Sequence, residues 1–193
     1  MHRMRIALII AGLFLAPIFS LPSFADGIPT LSVAPSPSTV SAGNSINLDV
    51  TISAVTDLYA FQFDLSFDPG TVSAASITEG SFLPGGGATF FLPGTIDNVG
   101  GTIASTADSL VGAIPGVNGS GTLAVLTLTG LAPGISSIDF SNVFLLDSNL
   151  NGINAVLQSG SVAVTPGTVP TPEPNSLVLL IAGLGTVFLL RRK

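Results

Sequence analysis

A short segment rich in side-chain oxygen atoms is the clearest candidate for metal chemistry in this chain. Asp147, Asn149 and Asn151 stand at alternate positions and Gly152 follows, which is the D-x-N-x-N-G spacing of a calcium-binding loop. Position 12 of such a loop would be Gln158 instead of the usual bidentate Glu, and a strand is predicted to follow. The sequence therefore favours a plain hairpin turn, in which Asn and Gly adopt left-handed dihedral angles, with weak calcium binding as the alternative.

Paired carboxylates are a second arrangement that could do chemistry. Asp64 and Asp68 lie on the same face of one predicted strand, about 13 Å apart at roughly 3.3 Å per residue. Glycosidases place their two carboxyl groups about 5 to 9.5 Å apart, so this pair does not fit. The segment 26–170 has no His or Cys, which excludes Ser-His-Asp and Cys-His catalysis and zinc sites built on those residues. We therefore predict that the protein is not an enzyme and requires no cofactor.

The distribution of charge restricts the partners further. Ten of the eleven acidic residues lie between positions 26 and 170, and that segment contains no Lys, Arg or His. Nucleic-acid binding needs a basic surface and is therefore excluded. The same segment cannot form a single side-chain salt bridge. All five basic residues lie at the two ends of the chain: Arg3, Arg5, Arg191, Arg192 and Lys193.

Polysaccharide binding usually depends on exposed aromatic rings, and few are expected here. The chain has no Trp and a single Tyr, Tyr59, which the alternation of its strand places on the core face. For Phe90 and Phe91 we expect a pair at the edge of the core, with one exposed ring as the alternative. A carbohydrate-binding module is therefore the second choice of function.

Alternating apolar and polar residues predict the elements that carry these side chains. Residues 46–52 and 59–67 alternate with a period of two, as half-buried strands do. Residues 123–129 are apolar on both faces at their start and predict an interior strand. Weaker strands are predicted near 30–34, 72–78, 88–92, 102–107, 135–145 and 155–164.

The spacing of these strands predicts the architecture. Gly and Pro punctuate them at turns, and no segment has the period of an amphipathic helix. About nine short strands in this order predict an all-β domain over residues 26–165, folded as an antiparallel jelly-roll sandwich. Residues 166–175 are rich in Pro and Thr and are predicted to be a linker.

Residues 1–25 have the composition of a secretory signal peptide. Arg3 and Arg5 form a basic start, an apolar run follows over 6–19, and Ser-Phe-Ala at 23–25 is a small-x-small cleavage site. We expect signal peptidase to cut between Ala25 and Asp26. The acidic domain would then be exported, and the lack of Cys is compatible with an exported chain that does not depend on disulfides.

The C-terminal residues 176–193 are predicted to form a transmembrane helix with a basic tail. The uncharged run 177–190 has 14 residues. It covers about 21 Å, against a hydrocarbon core about 30 Å thick. Arg191 and Arg192 can reach back to the interface and help to make up the difference. Basic residues stay in the cytoplasm, so the acidic domain is expected outside.

A three-residue motif, Pro172, Glu173 and Pro174, stands just before this helix. The order of Pro-Glu-Pro, apolar helix and Arg-rich end resembles the PEP-CTERM sorting signal of Gram-negative bacteria, over residues 169–193. The resemblance implies that an exosortase, a membrane cysteine protease, recognises the motif, that the Arg pair acts as the stop, and that the tail is removed. The prolines hold the segment extended, which suits a protease cleft. Proteins with this signal are linked to exopolysaccharide and biofilm matrix.

A second resemblance covers residues 30–165. The segments 40–43 (Val-Ser-Ala-Gly) and 60–69 (Ala-Phe-Gln-Phe-Asp-Leu-Ser-Phe-Asp-Pro) resemble the opening of a cohesin domain. A strand entry at 121–124 (Gly-Thr-Leu-Ala) and a closing strand at 159–164 (Ser-Gly-Ser-Val-Ala-Val) fit the same pattern. The resemblance implies a jelly roll related in fold to some carbohydrate-binding modules. The best-known cohesins hold dockerin-bearing enzymes in polysaccharide-degrading complexes.

These features together predict an exported, exosortase-processed, non-enzymatic β-sandwich. It would serve as an adhesion or scaffolding module at the cell surface or in the exopolysaccharide matrix, after a transient stage in which the C-terminal helix anchors it to the membrane. The expected partners are signal peptidase and the exosortase during export, and a matrix protein or polysaccharide afterwards. The alternative is a carbohydrate-binding module associated with polysaccharide binding or breakdown.

The sorting signal can be tested directly. Replacing Arg191, Arg192 and Lys193 with acids should block retention and sorting, because a negative end would no longer hold the helix at the cytoplasmic face. Intact-mass spectrometry of the mature protein should show a chain that lacks residues 177–193. Recovery of a mature chain that still contains them would contradict the sorting hypothesis.

Overall fold

The computed structural model describes residues 27–167, which include nearly all of the predicted sandwich. The signal peptide with its cleavage site at Ala25 and Asp26, the sorting motif at 172–174 and the C-terminal helix lie outside the described residues and stay predictions. Between residues 27 and 167, no helix is long and apolar enough to cross a membrane.

Eleven strands and one short 3-10 turn, Leu83–Gly85, make up this part of the chain. The strands are β1 (Thr30–Ala34), β2 (Ser38–Ser41), β3 (Ser45–Leu58), β4 (Ala60–Ser66), β5 (Val72–Glu79), β6 (Thr95–Asp97), β7 (Thr102–Ser109), β8 (Val117–Gly130), β9 (Gly134–Leu146), β10 (Val156–Gln158) and β11 (Gly160–Thr165). The all-β class is confirmed, with more strands than expected.

Two sheets pack face to face. The back sheet has five strands in the order β10-β1-β3-β8-β5, and the front sheet has six in the order β2-β11-β9-β4-β7-β6. Neighbouring strands are antiparallel except for β1 with β10 and β2 with β11, which are parallel. The predicted antiparallel arrangement therefore holds for the other strand pairs and does not hold at these two. The N-terminal segment gives one strand to each sheet, and each of them runs alongside a strand from the C-terminal part.

Alternation of side chains places one apolar face of each sheet in a shared core. In β4, Phe61, Phe63 and Leu65 are buried, whereas Gln62 points outward. The fully buried ring of Phe63 stacks on Phe61 with 5.6 Å between centroids and meets Phe140 edge-on at 5.8 Å. Such aromatic pairs add to the stabilisation that burial itself provides. The predicted faces of this strand are confirmed.

The strand β8 is interior, as predicted from its apolar start. It lies between β3 and β5 in the back sheet. The consecutive residues Leu123 and Ala124 are both buried, and Leu126 and Leu128 continue the inward face. The register of β3 against β8 shifts here and skips Leu123, and such a bulge allows two consecutive side chains to be buried.

The segment 88–92, predicted as a strand, is a loop that lies beside β7. It forms only isolated bridges, to Leu110 and Ala107. Three successive Gly residues precede the segment and Pro93 follows it. Because Pro has no N–H with which to continue a ladder, regular pairing stops there.

Several other boundaries differ from the sequence-based expectation, and β3 and β8 are each about twice as long as predicted. The pattern did not predict the short strands β2 and β6. The predicted strand 155–164 is divided at Ser159 into β10 and β11, which belong to different sheets. A strand that changes sheets keeps its apolar character throughout, so alternation alone does not reveal the crossing.

The outer strands of both sheets are short or covered. The edge strands β6 and β10 have three residues each and β2 has four. The longer edge strand, β5, is partly covered by Asn98. Its Oδ1 accepts a hydrogen bond from the N–H of Ala74 at 2.8 Å, and its Nδ2 donates to the carbonyl of Ala74 at 3.0 Å. The side-chain amide thus forms the two bonds that a neighbouring strand would form.

Two bulges flank the centre of β4. Ser105 on β7 and Asn142 on β9 have φ values of 60° and 49°, and the register of β4 shifts against both strands near Asp64. One carboxylate bonds to both bulges: Oδ1 of Asp64 accepts from the N–H of Ser105 and Oδ2 accepts from Nδ2 of Asn142, each at 2.6 Å. Because bulges bend and twist a sheet, Asp64 supports the curvature of the front sheet.

The packing of β4 gives a matched test of the core. Phe63→Ala should lower the free energy of unfolding by about 3–5 kcal/mol, because it removes a fully buried ring and leaves a cavity between the sheets. The adjacent Gln62→Ala should change it by less than about 0.5 kcal/mol, since that side chain points outward. Urea unfolding followed by circular dichroism measures both. Equal losses would show that the two faces of β4 are misassigned.

Candidate binding surface

An apolar groove runs across the outer face of the front sheet and has a volume of about 400 Å³. Three large apolar side chains border it and remain exposed: Phe90 is 62% exposed, Phe144 60% and Leu92 46%. Exposed apolar side chains gathered in one depression are typical of binding surfaces.

Alternation along the strands builds the floor of the groove and one wall. Ala60 and Gln62 point outward from β4, since the residues between and beyond them are buried. Phe144 on β9 lies opposite Gln62 in the register of the sheet and forms the first wall. Ala107 on β7 continues the floor. Two small Ala side chains keep this floor low between larger neighbours.

The second wall comes from the loop segment 88–92, which main-chain hydrogen bonds hold against β7. The N–H of Phe90 donates to the carbonyl of Ser109 at 2.8 Å. The N–H of Leu92 donates to the carbonyl of Ala107 at 2.8 Å, and the N–H of Ala107 donates back at 3.0 Å. The N–H of Val111, just past β7, also donates to the carbonyl of Ala88 at 2.8 Å, so four main-chain bonds fix the position of this wall.

The same segment corrects the expected arrangement of Phe90 and Phe91. The ring of Phe91 packs against the core, whereas Phe90 is exposed. The expected pair at the core edge was wrong, and the alternative with one exposed ring is what the structure shows. An extended segment sends successive side chains to opposite faces, and this segment is extended although it is not a strand.

Tyr59 lies just before β4 and is half-buried, with its ring against the core. Its hydroxyl donates to the carbonyl of Gly112 at 2.7 Å. The residue also borders a second, more open depression at one end of the sandwich, together with Ser148 and Leu150. The ring is placed as predicted, but its polar end reaches the surface.

Asp57, next to this depression, is held by donors that carry no charge. Its Oδ1 accepts from the N–H of Gly116 at 2.6 Å and its Oδ2 from the hydroxyl of Ser148 at 2.7 Å. The bond from Ser148 is the main cause that keeps the pKa of Asp57 below its usual range, against the opposing effects of desolvation and of Asp147. Gly116 is needed here, because an added Cβ would lie 2.4 Å from the main chain of Asp57.

The predicted calcium loop folds as a turn that is bonded from within. Oδ1 of Asp147 accepts from the N–H groups of Asn149 and Asn151, both at 2.8 Å, and Oδ2 accepts from Nδ2 of Asn151 at 3.0 Å. These bonds, those from Asn151 first, lower the pKa of Asp147. Within residues 27–167, no group of three or more His, Cys, Asp or Glu is placed to hold a metal ion. Calcium binding by these oxygens stays a prediction.

Asp64 and Asp68 have separate structural partners. Asp68 accepts from the hydroxyl of Thr71 at 2.6 Å and from the N–H of Gly70 at 2.9 Å, and these bonds lower its pKa. Asp64 bonds to the two bulges beside β4. Asp68 therefore stabilises the turn that follows β4, and Asp64 stabilises the bulges on either side of β4. The two carboxylates do not form a catalytic pair.

One carboxyl pair was not predicted from the sequence, Asp108 with Glu79. Asp108 lies on β7, just past the predicted end of that strand, and its inward side chain is 2% exposed. Desolvation first, and then the charge of Glu79, raise the pKa of Asp108 to about 7. A longer prediction for β7 would have placed Asp108 on the core face. Its partner lies on the other sheet, and nothing local in the sequence connects the two.

The geometry of this pair does not suit glycoside hydrolysis. Glu79 acts on Asp108 by its charge and by hydrogen bonding, whereas the two carboxyl groups of a glycosidase flank a bound sugar. Asp108 is also closed from solvent, so a sugar could not reach it.

Comparison with known proteins gives one family and a set of similar folds. A family model described as Cohesin domain matches residues 31–164. No curated protein matches the chain significantly. Among solved structures, a non-cellulosomal cohesin from the hyperthermophilic archaeon Archaeoglobus fulgidus has a TM-score of 0.59 at 13% identity, covering 72% of this chain and 92% of that chain.

Two further structures contain a second protein. A type I cohesin–dockerin complex from Clostridium thermocellum has a TM-score of 0.60 at 15% identity, covering 72% of this chain and 100% of that chain. The third ScaC cohesin of Acetivibrio cellulolyticus, in complex with the ScaB dockerin, has a TM-score of 0.58 at 19% identity, covering 70% and 98%. At these identities the likeness concerns the fold.

The turn at Asp147 gives a test that separates its two possible roles. Asp147→Ala should lower the melting temperature in metal-free buffer, because it removes three hydrogen bonds that close the turn. If the loop also binds calcium, calcium should raise the melting temperature of the parent protein more than magnesium does, since magnesium demands tighter geometry. The variant should then lose most of that rise. If calcium and magnesium raised the melting temperature equally, and did so in the variant as well, the segment would act only as a turn and would have no specific calcium site.

Proposed function

The chain belongs to the cohesin domain family, and we propose that it is a non-enzymatic scaffolding or adhesion module that binds a partner protein through the groove of the front sheet. The observation that carries this proposal is the exposure of Phe90, Leu92 and Phe144 in a single depression. Leaving such side chains in water is unfavourable, and a partner that covers them gains about 25 cal/mol per Å² of apolar surface.

The proposed partner is a protein that bears a dockerin domain. Two of the similar solved structures are complexes of a cohesin with a dockerin. The charge of this chain adds a condition, because the acids of residues 26–170 face no Lys or Arg of the same segment. Complementary charge speeds association and excludes wrong partners. We therefore expect basic or neutral polar residues around the apolar centre of the partner's surface.

The setting of this module is proposed from the ends of the chain. Cleavage after Ala25 would export the domain, and the motif at 172–174 with Arg191 and Arg192 would direct it to an exosortase-type protease. The protein would then act at the cell surface or in the exopolysaccharide matrix of a Gram-negative bacterium. Display outside the cell suits a domain that carries acids and no thiol.

A carbohydrate-binding module remains the second candidate, and one observation favours it. Phe90 and Phe144 present two exposed rings on the same face of the front sheet. Aromatic rings exposed in the walls of a groove can stack on sugar units. The groove thus offers more aromatic surface than the sequence suggested, although no Trp contributes to it.

Two exposed Leu residues, one in the loop beside the front sheet and one on the back sheet, provide a matched test of the groove. Leu92 is 46% exposed in the groove and Leu157 is 45% exposed on the edge strand β10 of the back sheet. Leu92→Asp and Leu157→Asp add the same charge at similar exposure. The parent protein should capture a dockerin-bearing protein from the secreted and surface proteins of the source organism, identified by mass spectrometry. Leu157→Asp should capture it equally well, and Leu92→Asp should lose at least about tenfold in affinity.

Two results would contradict this proposal. Capture that Leu92→Asp leaves unchanged would exclude the groove, and capture of no dockerin-bearing protein would exclude the partner. A glycan array decides the second candidate. Sugar binding that Phe90→Ala and Phe144→Ala abolish, without any protein partner, would favour the carbohydrate-binding module.

A further inference from the structure

Asp108 is a buried carboxylate with an incomplete set of hydrogen bonds. Its side chain points inward from β7 and is 2% exposed. One oxygen, Oδ1, accepts from the N–H of Ser109 at 2.8 Å. The other oxygen, Oδ2, is buried and has no hydrogen-bond partner within residues 27–167. An unpaired buried acceptor is costly, so this atom needs a donor.

Glu79 is the group that faces Asp108. It ends β5, on the opposite sheet, and its carboxyl group interacts with that of Asp108. It also accepts a short hydrogen bond from the hydroxyl of Thr89. Thr89 immediately precedes Phe90 in the wall of the groove. The pair of carboxyl groups therefore joins three elements: β7, β5 and the segment 88–92.

Two ionised carboxylates cannot donate a hydrogen bond to each other. A single proton changes this, because a protonated Asp108 can donate from Oδ2 to Glu79 and the orphaned atom is then satisfied. The aspartic-protease dyad shows how two adjacent carboxyl groups share a proton in this way. No Lys, Arg or His lies between residues 26 and 170 to offer a cation instead.

The other titratable groups on the elements around Asp108 are bonded elsewhere. On β4, Asp64 accepts from the two bulges of the front sheet. On β6, Asp97 accepts from the N–H groups of its own turn. Tyr59, just before β4, donates to Gly112. The loop segment 88–92 contains no titratable residue.

We propose that a proton shared between Asp108 and Glu79 fixes the segment 88–92 against the sandwich, so that the partner-binding groove is complete in mildly acidic surroundings and loosens as the proton is lost. Loss of the proton sets two negative charges against each other beneath the wall that carries Phe90 and Leu92. The effect on binding rests on the function proposed above. The effect on the wall itself does not.

The pH range follows from the direction of the shift. The pKa of Asp108 is raised to about 7 in the folded protein, against about 3.9 for an unperturbed Asp. The native state therefore holds this proton more tightly than the unfolded chain. The stability that it contributes is complete below the unfolded value and is lost as the pH rises through about 7.

The remaining shifted acids act in the opposite direction and at lower pH. Their pKa values are lowered, so the stability that they contribute is lost only when the pH falls below the usual range of a carboxyl group. These acids are Asp57, Asp68, Asp97 and Asp147. A change between about pH 5.5 and 8.5 therefore isolates Asp108 among the shifted groups.

Hydrogen exchange of the full chain tests the wall without any partner. The N–H groups of Phe90 and Leu92 report on it, since both donate to β7. Their protection factors, corrected for the intrinsic pH dependence of exchange, should fall about fivefold or more between pH 5.5 and 8.5 in the parent. In Asp108→Asn they should stay constant, because the amide donates to Glu79 at every pH. Glu79→Gln should do the same from the other side.

The matched control is Asp139→Asn, which removes one exposed acid from the same sheet. This variant should keep the pH dependence of the parent, because Asp139 is exposed on β9 and is not part of the carboxyl pair. Protection that is independent of pH in the parent would overturn the proposal. The proposal would also be overturned if the protection factors of Asp108→Asn fell between pH 5.5 and 8.5 as much as those of Asp139→Asn.

A second measurement tests control of binding. The affinity of the captured dockerin-bearing protein should fall over the same pH range for the parent and for Asp139→Asn, but not for Asp108→Asn. If the protection of Phe90 and Leu92 depended on pH but the affinity for the partner did not, the proposed control of binding would be overturned. If no partner is captured, the function proposed above has failed, and the exchange experiment alone still decides whether the proton fixes the wall.

Discussion

The absence of any cation from residues 26–170 is the constraint on which the rest of this structure depends. Every carboxylate of that segment that is withdrawn from water must find a donor that carries no charge, or hold a proton. The chain meets this requirement at irregular places in the backbone, where N–H groups are free of the ladders. The acids held there by main-chain or side-chain donors are Asp57, Asp64, Asp68, Asp97 and Asp147. Asp108 alone among the described acids is buried with an unsatisfied oxygen.

This constraint links the acids to the shape of the sandwich. Asp57 itself has a positive φ, and Asp64 bonds to two residues, Ser105 and Asn142, that also have positive φ. Such conformations are unfavourable for residues with a Cβ and need compensation from their surroundings. Here the compensation is a hydrogen bond that a carboxylate accepts. The curvature of the front sheet, and with it the concave groove, therefore depends on charged groups that in most proteins would be paired with Lys or Arg.

Local patterns predicted the parts of this fold that local physics decides. Alternation identified the faces of β3 and β4, and the doubly apolar start of β8 identified it as interior. Alternation could not show that β10 and β11 belong to different sheets, or that Phe90 stands in a wall held by β7, because these depend on contacts between distant segments. The pairing of Asp108 with Glu79 was missed for the same reason. It joins two sheets, and each residue alone resembles an ordinary strand-end acid.

The side-chain amide of Asn98, bonded to the edge strand β5, bears on whether copies of this protein aggregate when they are crowded together. Open sheet edges are templates on which chains add to one another and form aggregates, and natural proteins often block them with Lys. This domain has no Lys to use. It shortens three of its edges to three or four residues and occupies Ala74 on the fourth with a side-chain amide that imitates a strand. Where copies of this protein lie close together, these features hinder association through the sheet edges.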